Sequence, residues 1–220
     1  MKNGLLKSFA LGLMVAGSLI ASVATADVNV TVNNGDNYLG FMNVFDLGNG
    51  YQFSSGWGFA DLNAAWVGSN LRLSPNTIGD PDPYWYIGGG GPGHPGNKLM
   101  EANCYVEPAG SLPGVTLNFS GTVVSNTLTS AHVARAFIRD FAPDFSSVVE
   151  TSVVLPVSGN FNLTLATQND PGRHVQWGFQ MKGPNVWVTD TAPFGAVVIG
   201  PLAPVPTTNS TWGRVKSLYR

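Results

Sequence analysis

Val115-Thr116-Leu117-Asn118-Phe119-Ser120-Gly121-Thr122-Val123 alternates without a break, with Val115, Leu117, Phe119, Gly121 and Val123 on one side and Thr116, Asn118, Ser120 and Thr122 on the other. Successive side chains of a β-strand point to opposite faces, so this stretch predicts a half-buried strand with a face of hydroxyls and amides. Comparable stretches recur at 57–66, 71–73, 132–139, 148–155, 161–165, 175–181, 186–188 and 196–199, separated by clusters of Gly, Pro, Asn and Asp. Short strands at such spacing predict an all-β fold, an antiparallel β-sandwich. No window after residue 26 sustains helical spacing with caps until the last residues, which argues against an α/β enzyme fold.

Composition agrees. Charged residues make up 11% of the 220, against the usual value of about 25%, and 44% are hydrophobic, so most of the chain has the means to build a core. The 27 glycines and 15 prolines supply the turns that many short strands need. A net charge of -2 without clustered Lys or Arg excludes the electrostatic footprint of a nucleic-acid binder.

Lys2 and Lys7, an uncharged stretch over 8–23 and Ala24-Thr25-Ala26 read as a secretory signal peptide over 1–26, cleaved after Ala26. A membrane span would need about 20 apolar residues, so none is expected after its removal, and the expected location is secreted, extracellular or periplasmic. Cys104 is the single cysteine, which excludes an intramolecular disulfide and leaves a packed core over 27–200 to hold the fold. From 201 to 220 the chain turns to linker composition, with Pro201, Pro204, Pro206, Thr207 and Thr208. Trp212, Val215 and Tyr219 then recur at helical spacing, either a frayed end or a tag for a docking or sorting partner.

Candidate binding residues come from phase. Tyr84, Trp85 and Tyr86 follow the rigid Pro81-Asp82-Pro83 and precede four glycines, Gly88 to Gly91, so one or more of the three should leave the core. Aromatic faces offer large contact area to sugar rings at small entropic cost. The alternative is an aromatic anchor beneath the glycine loop. Val175, Trp177, Phe179 and Met181 form a core face, which turns Gln176 and Gln180 outward as amide donors and acceptors, like Asn118 on its own strand. Inward Val186 and Val188 would put Trp187 outward, as a platform or under a loop. Arg135 and Arg139 share a face opposite Ala134, Ala136 and Ile138, suited to acidic or hydroxyl-rich ligands or to plain solvent. No catalytic residue is assigned. Asp140 and Asp144 flank a three-residue turn, His94, His132 and His174 lack metal-ligand spacing, and Cys104 reads as a small core residue.

The order of these features resembles the jelly-roll carbohydrate-binding modules with a galactose-binding-like β-sandwich. Their opening motif is matched by Asn43-Val44-Phe45-Asp46, Gly48, Gly50 and Gly56-Trp57, and their closing strands by Val175-Gln176-Trp177-Gly178-Phe179, Gly183 and Val186-Trp187-Val188-Thr189-Asp190. The resemblance spans roughly 37–200 and implies a jelly roll, a polysaccharide or glycan ligand, and a structural Ca²⁺ held by Asp46 and Asp190. This chain has Asp46 where the family commonly has Glu, and Asp190-Thr191 where it has two acidic residues. The expected protein is therefore an exported, non-catalytic carbohydrate binder. The alternatives are a structural or surface-matrix protein, and a polysaccharide-cleaving enzyme using Asp140, Asp144 or His174.

Overall fold

The computed structural model describes residues 26–202. The expected signal peptide, 1–26, lies outside the described residues except for Ala26, and so does the expected tail from residue 203. Twelve strands follow in order: β1 (Asp27–Thr31), β2 (Tyr38–Asp46), β3 (Tyr51–Gly56), β4 (Ala64–Val67), β5 (Asn70–Leu73), β6 (Lys98–Val106), β7 (Thr116–Asn126), β8 (Val133–Phe141), β9 (Val148–Val154), β10 (Gly159–Ala166), β11 (His174–Pro184) and β12 (Val197–Gly200). Short 3-10 turns occupy Ala60–Leu62 and Ala192–Phe194. Among the described residues no helix is long and apolar enough to cross a membrane.

The strands form two six-stranded sheets. One runs β3-β2-β6-β11-β8-β9 and is antiparallel throughout. In the other, β7 is flanked by β10 on one side, while β1 and β12 share the opposite side, followed by β5 and β4. The shared lane follows from register: Asn118 pairs with both Asn29 and Thr164, and Thr122 with both Gly200 and Asn160. The chain crosses between sheets after β1, β3, β5, β6, β7, β9, β10 and β11, the winding of a jelly-roll-like sandwich. The expected antiparallel order has one exception, since β1 lies parallel to β7.

Burial follows the alternation read in the sequence. On β7, Leu117, Phe119 and Val123 enter the core. Gly121 joins them because a Cβ there would lie 2.8 Å from the Phe161 ring and 2.9 Å from Val32. On β8, Ala134, Ala136 and Ile138 point inward, and on β11 so do Val175, Trp177, Phe179 and Met181. Phe179 crosses the interface to meet Phe119 and Phe161 with ring centroids 5.4 and 5.9 Å apart, joining the sheets through aromatic contacts. Cys104 is buried and its thiol is pushed up to about 12 by desolvation, so it packs as a small apolar residue.

Two sequence expectations fail locally. Residues 57–66 are not one strand: Trp57 to Phe59 lead into the first 3-10 turn, and only Ala64–Val67 is extended. Residues 186–188 make a single bridge to Thr77 and then turn, because Asp190 N–H closes onto Trp187 O at 2.9 Å. Val186 is buried while Val188 is exposed, so the two valines do not share a face.

His132 sits in the core against the Phe194 ring, with Nε2 3.0 Å from Pro184 O and no partner on Nδ1 among the described residues. Nε2–H therefore donates and the ring is neutral. Burial holds its pKa below the ordinary 6.5, with the bond to Pro184 only partly opposing. The unfolded chain takes up this proton first on acidification, so the His132 contribution is complete above about pH 6.5 and is lost as pH falls from there towards the lower folded value. Denaturant melts at a series of pH values should show this loss, and His132→Gln should flatten it; an unchanged slope in the variant would refute the assignment.

Candidate functional site

The outer face of the β3-β2-β6-β11-β8-β9 sheet collects side chains from four strands. The core demands Met42 and Val44, Ala102 and Cys104, Ala136 and Ile138, and Val175 and Trp177 on the inside. Alternation then leaves Phe41 and Asn43, Asn103 and Tyr105, Arg135 and Arg139, and Gln176 and Gln180 on the outside. Register sets Gln180 beside Asn103 and Arg135, Gln176 beside Arg139, and Asn103 beside Phe41. Between Gln176 and Gln180, Gly178 carries no side chain, and a Cβ there would meet Cys104 O at 2.2 Å. The row through Tyr105, Gly178 and Phe137 thus has an aromatic ring on each side of a bare backbone.

A hydrogen-bond network fixes these groups. Arg139 donates from Nη1 to Asn103 Oδ1 at 2.9 Å and from Nε to Glu150 Oε2 at 2.7 Å. Gln180 donates to the same Asn103 oxygen at 3.1 Å, and Asn43 to Glu101 Oε1 at 3.0 Å. Beyond the end of β6, Glu107 is held by Gln176 Nε2 at 2.7 Å and by His174 Nδ1 at 2.7 Å. Phe145 lies flat on the His174 ring with centroids 4.3 Å apart. It reaches that place from a left-handed backbone, φ 59°, which a phenylalanine adopts only at a cost in strain. Burial first, and the Glu107 charge second, push the Tyr105 phenol up, so it stays a neutral hydroxyl at neutral pH.

Together these residues bound a cleft of about 500 Å³. Its aromatic lining is Phe41, Tyr105, Phe141 and Phe145, and its polar lining is Asn43, Asn103, Glu107, Arg139 and Gln176. A second cleft of about 420 Å³, lined by Ser111, Gly172, Arg173 and His174, adjoins it at Glu107. Arg139 and Glu107 already have partners within the protein, so the larger cleft offers preset donors, acceptors and ring faces.

The structure brings together four of the sequence candidates, Gln176, Gln180, Arg135 and Arg139, on this one face. The others lie elsewhere. Tyr86 is fully buried, its hydroxyl shared between the carbonyls of Ile78 and Val186, so it is the core anchor of the glycine loop and not a surface ring. Trp187 is half-buried against Tyr86 with centroids 5.4 Å apart, and the Cβ position of Gly90 lies 3.0 Å from its ring. It is a tryptophan under a loop. Trp85 is half-buried edge-on to Phe53 at 6.2 Å, and Tyr84 is exposed with Lys98 Nζ 4.0 Å from its ring, at the opposite end of β6 from Glu107. Asn118 is on the outer face of the other sheet.

The acidic candidates serve their own loops. Asp140 is fully buried, accepting from Arg173 Nε and from Gln168 N–H, each at 2.7 Å. Asp144 caps Ser146, whose side-chain and backbone hydrogen bonds hold the carboxyl below the usual range. Asp46 accepts the N–H groups of Gly48 and Gly50 at 2.8 and 2.7 Å, and Asp190 accepts from Gly93 N–H at 2.6 Å and from Thr189 at 2.8 Å. Asp46 thus ties its own turn and Asp190 the glycine loop, and among the described residues no group of three or more His, Cys, Asp or Glu gathers for a metal ion. A structural Ca²⁺ shared by Asp46 and Asp190 is tested with EDTA: a lower thermal midpoint, restored by added Ca²⁺, supports the ion, and an unmoved melt removes it.

No protein-family model matches this sequence, and no curated protein matches it. Among solved structures, the chain is similar to the CBM22-2 xylan-binding domain of Xyn10C from Paenibacillus barcinonensis, with 12% identity, 65% of this chain and 92% of that one covered, and a TM-score of 0.30. It is also similar to a structure from work on the promiscuous specificity of carbohydrate-binding modules from the β-sandwich superfamily, with 15% identity, 76% and 74% covered, and a TM-score of 0.30. The tandem CBM22-1–CBM22-2 domain of the same Xyn10C gives 10% identity, 78% and 74% covered, and a TM-score of 0.28.

Proposed function

We propose that the protein is an exported, non-catalytic binder of polysaccharide, and that the cleft on the outer face of the β2-β6-β11-β8 strands is its site. The observation that carries this is the lining of that cleft: four aromatic rings beside amides and charges that are already paired. Rings cover the C–H faces of sugars while fixed amides and carboxylates meet hydroxyls, and pre-ordering lowers the entropy lost on binding. With Arg139 tied to Glu150 and Glu107 tied to His174, the cleft favours hydroxyl-rich over ionic ligands. The acidic groups considered for cleavage support binding better than catalysis, since Asp140 is enclosed with Arg173 and Asp144 caps a turn. Export rests on Lys2, Lys7 and the Ala24-Thr25-Ala26 motif.

The test is a glycan array probed with the purified protein, followed by calorimetry on the responding glycans. Binding to neutral polysaccharide fragments is expected. Silence across neutral and acidic glycans would move the protein to a structural or surface-matrix role.

A further inference from the structure

The opposite sheet carries a second polar surface that the cleft does not use. On the outer side of β10, β7 and β1, Thr164, Asn118 and Asn29 lie in register across three strands. The next row is Asn162, Ser120 and Thr31, and beyond it Asn160 pairs with Thr122. Every one of these positions is a hydroxyl or a carboxamide. Rows repeat at about 4.8 Å across strands and about 6.7 Å along them.

The grid is internally ordered. The Thr164 hydroxyl donates to Asn118 Oδ1 at 2.7 Å, Asn118 Nδ2 donates to Asn29 Oδ1 at 3.2 Å, and the Thr122 hydroxyl donates to Asn160 Oδ1 at 2.8 Å. These bonds fix rotamers before any ligand arrives, and they direct the remaining amide protons and oxygen lone pairs outward.

We propose that this face binds the flat hydroxyl surface of an insoluble, uncharged polysaccharide. Charge decides the class of partner. No ionisable side chain stands in the three rows, and the bordering Asp27, paired with Thr116, is an acid, so a nucleic acid or an anionic lipid headgroup finds nothing to pair with. The apolar residues that alternate with these rows, Leu117, Phe119 and Leu163, are buried in the core, and past the last row Val124 alone of the large hydrophobics of β1, β7 and β10 is exposed, so an apolar partner finds little to cover. What complements the grid is another uncharged array of donors and acceptors. Each contact is weak, and only a surface that meets many at once accumulates affinity. Soluble fragments, which the cleft takes, are poor ligands here. This reading is independent of the cleft.

The test is a depletion assay, in which the purified protein is sedimented with particles of cellulose, chitin and insoluble xylan at low and high salt. Binding to one or more of them, unchanged by salt, is expected. Asn162→Lys, which places a charge on an exposed position of the grid, should weaken particle binding about tenfold, and Thr164→Val, which removes the first donor of the relay with little change of shape, should weaken it in the same direction. An excess of soluble glycan fragments, which fills the cleft, should leave the protein on the particles. Melting curves identify any variant that fails to fold, and Thr164→Val then decides. Absence of particle binding by the unaltered protein, release by salt, or release by excess soluble glycan overturns the proposal.

Discussion

Replacing Asp140 with Ala is expected to destabilise the fold by about 3–5 kcal/mol, the usual consequence of removing one partner of a buried ion pair. Asp140 is wholly enclosed, and Arg173 is clamped by it twice, through Nε on the carboxylate and through Nη2 on the Asp140 carbonyl, both at 2.7 Å. The same carboxylate also receives Gln168 N–H at 2.7 Å. The alanine variant would leave a half-desolvated guanidinium and an unpaired amide. It should also free the link between β10 and β11, which supplies Gly172 and Arg173 to the smaller cleft. Chemical denaturation of the variant reads the loss directly. A change below about 1 kcal/mol would mean that the pair behaves like a surface salt bridge.

Tyr105→Ala is the corresponding test of the cleft. Its ring stands outward on β6 beside the bare backbone of Gly178, and truncation removes contact area without opening the core. Affinity for a responding glycan should fall by about 2 kcal/mol, roughly thirtyfold, the size of an aromatic hot spot. Stability should fall by less than the about 3–5 kcal/mol of a fully buried ring. Titration calorimetry and a melt on the same sample separate the two quantities. Unchanged affinity would move the binding site away from this face.

How much of this was legible in the sequence depends on the strand. On β7, β8 and β11 small or branched apolar residues alternate with polar ones, and the phase read from them places Arg135, Arg139, Gln176 and Gln180 on the side where the structure has them. On β6 the alternation is complete from Met100 onward, with Met100, Ala102, Cys104 and Val106 against Glu101, Asn103 and Tyr105. It escaped notice because Ala, Asn and Glu are weak strand formers. On β2 the outward positions hold Phe41 and Phe45 and an inward one holds Gly40, so hydrophobicity loses its period. Those two strands contribute Phe41, Asn43, Asn103 and Tyr105, four of the seven lining residues that are not among the binding candidates read from the sequence. The outward phase read for Trp187 departs from the structure for a different reason. Its flanking valines fix a phase only if the segment is extended, and the turn closed by Asp190 N–H removes that premise. The pairing of Gln176 with Glu107, 69 residues apart, depends on strand order and has no local sign.

The lane shared by β1 and β12 bears on how the protein can be joined to others. Thr31 and Gly200 meet head to head beside β7, and Leu202 N–H donates to Thr31 Oγ1 at 3.2 Å. Entry at Asp27 is four residues from that meeting point, so the described chain begins and ends within about 13 Å measured along one lane. A sandwich whose ends nearly touch can be spliced into a surface loop of a host protein as readily as it can be strung between neighbours, because the host backbone need hardly part to admit it. The cleft lies on the other sheet, so a guest inserted in this way would hold that cleft facing away from the host.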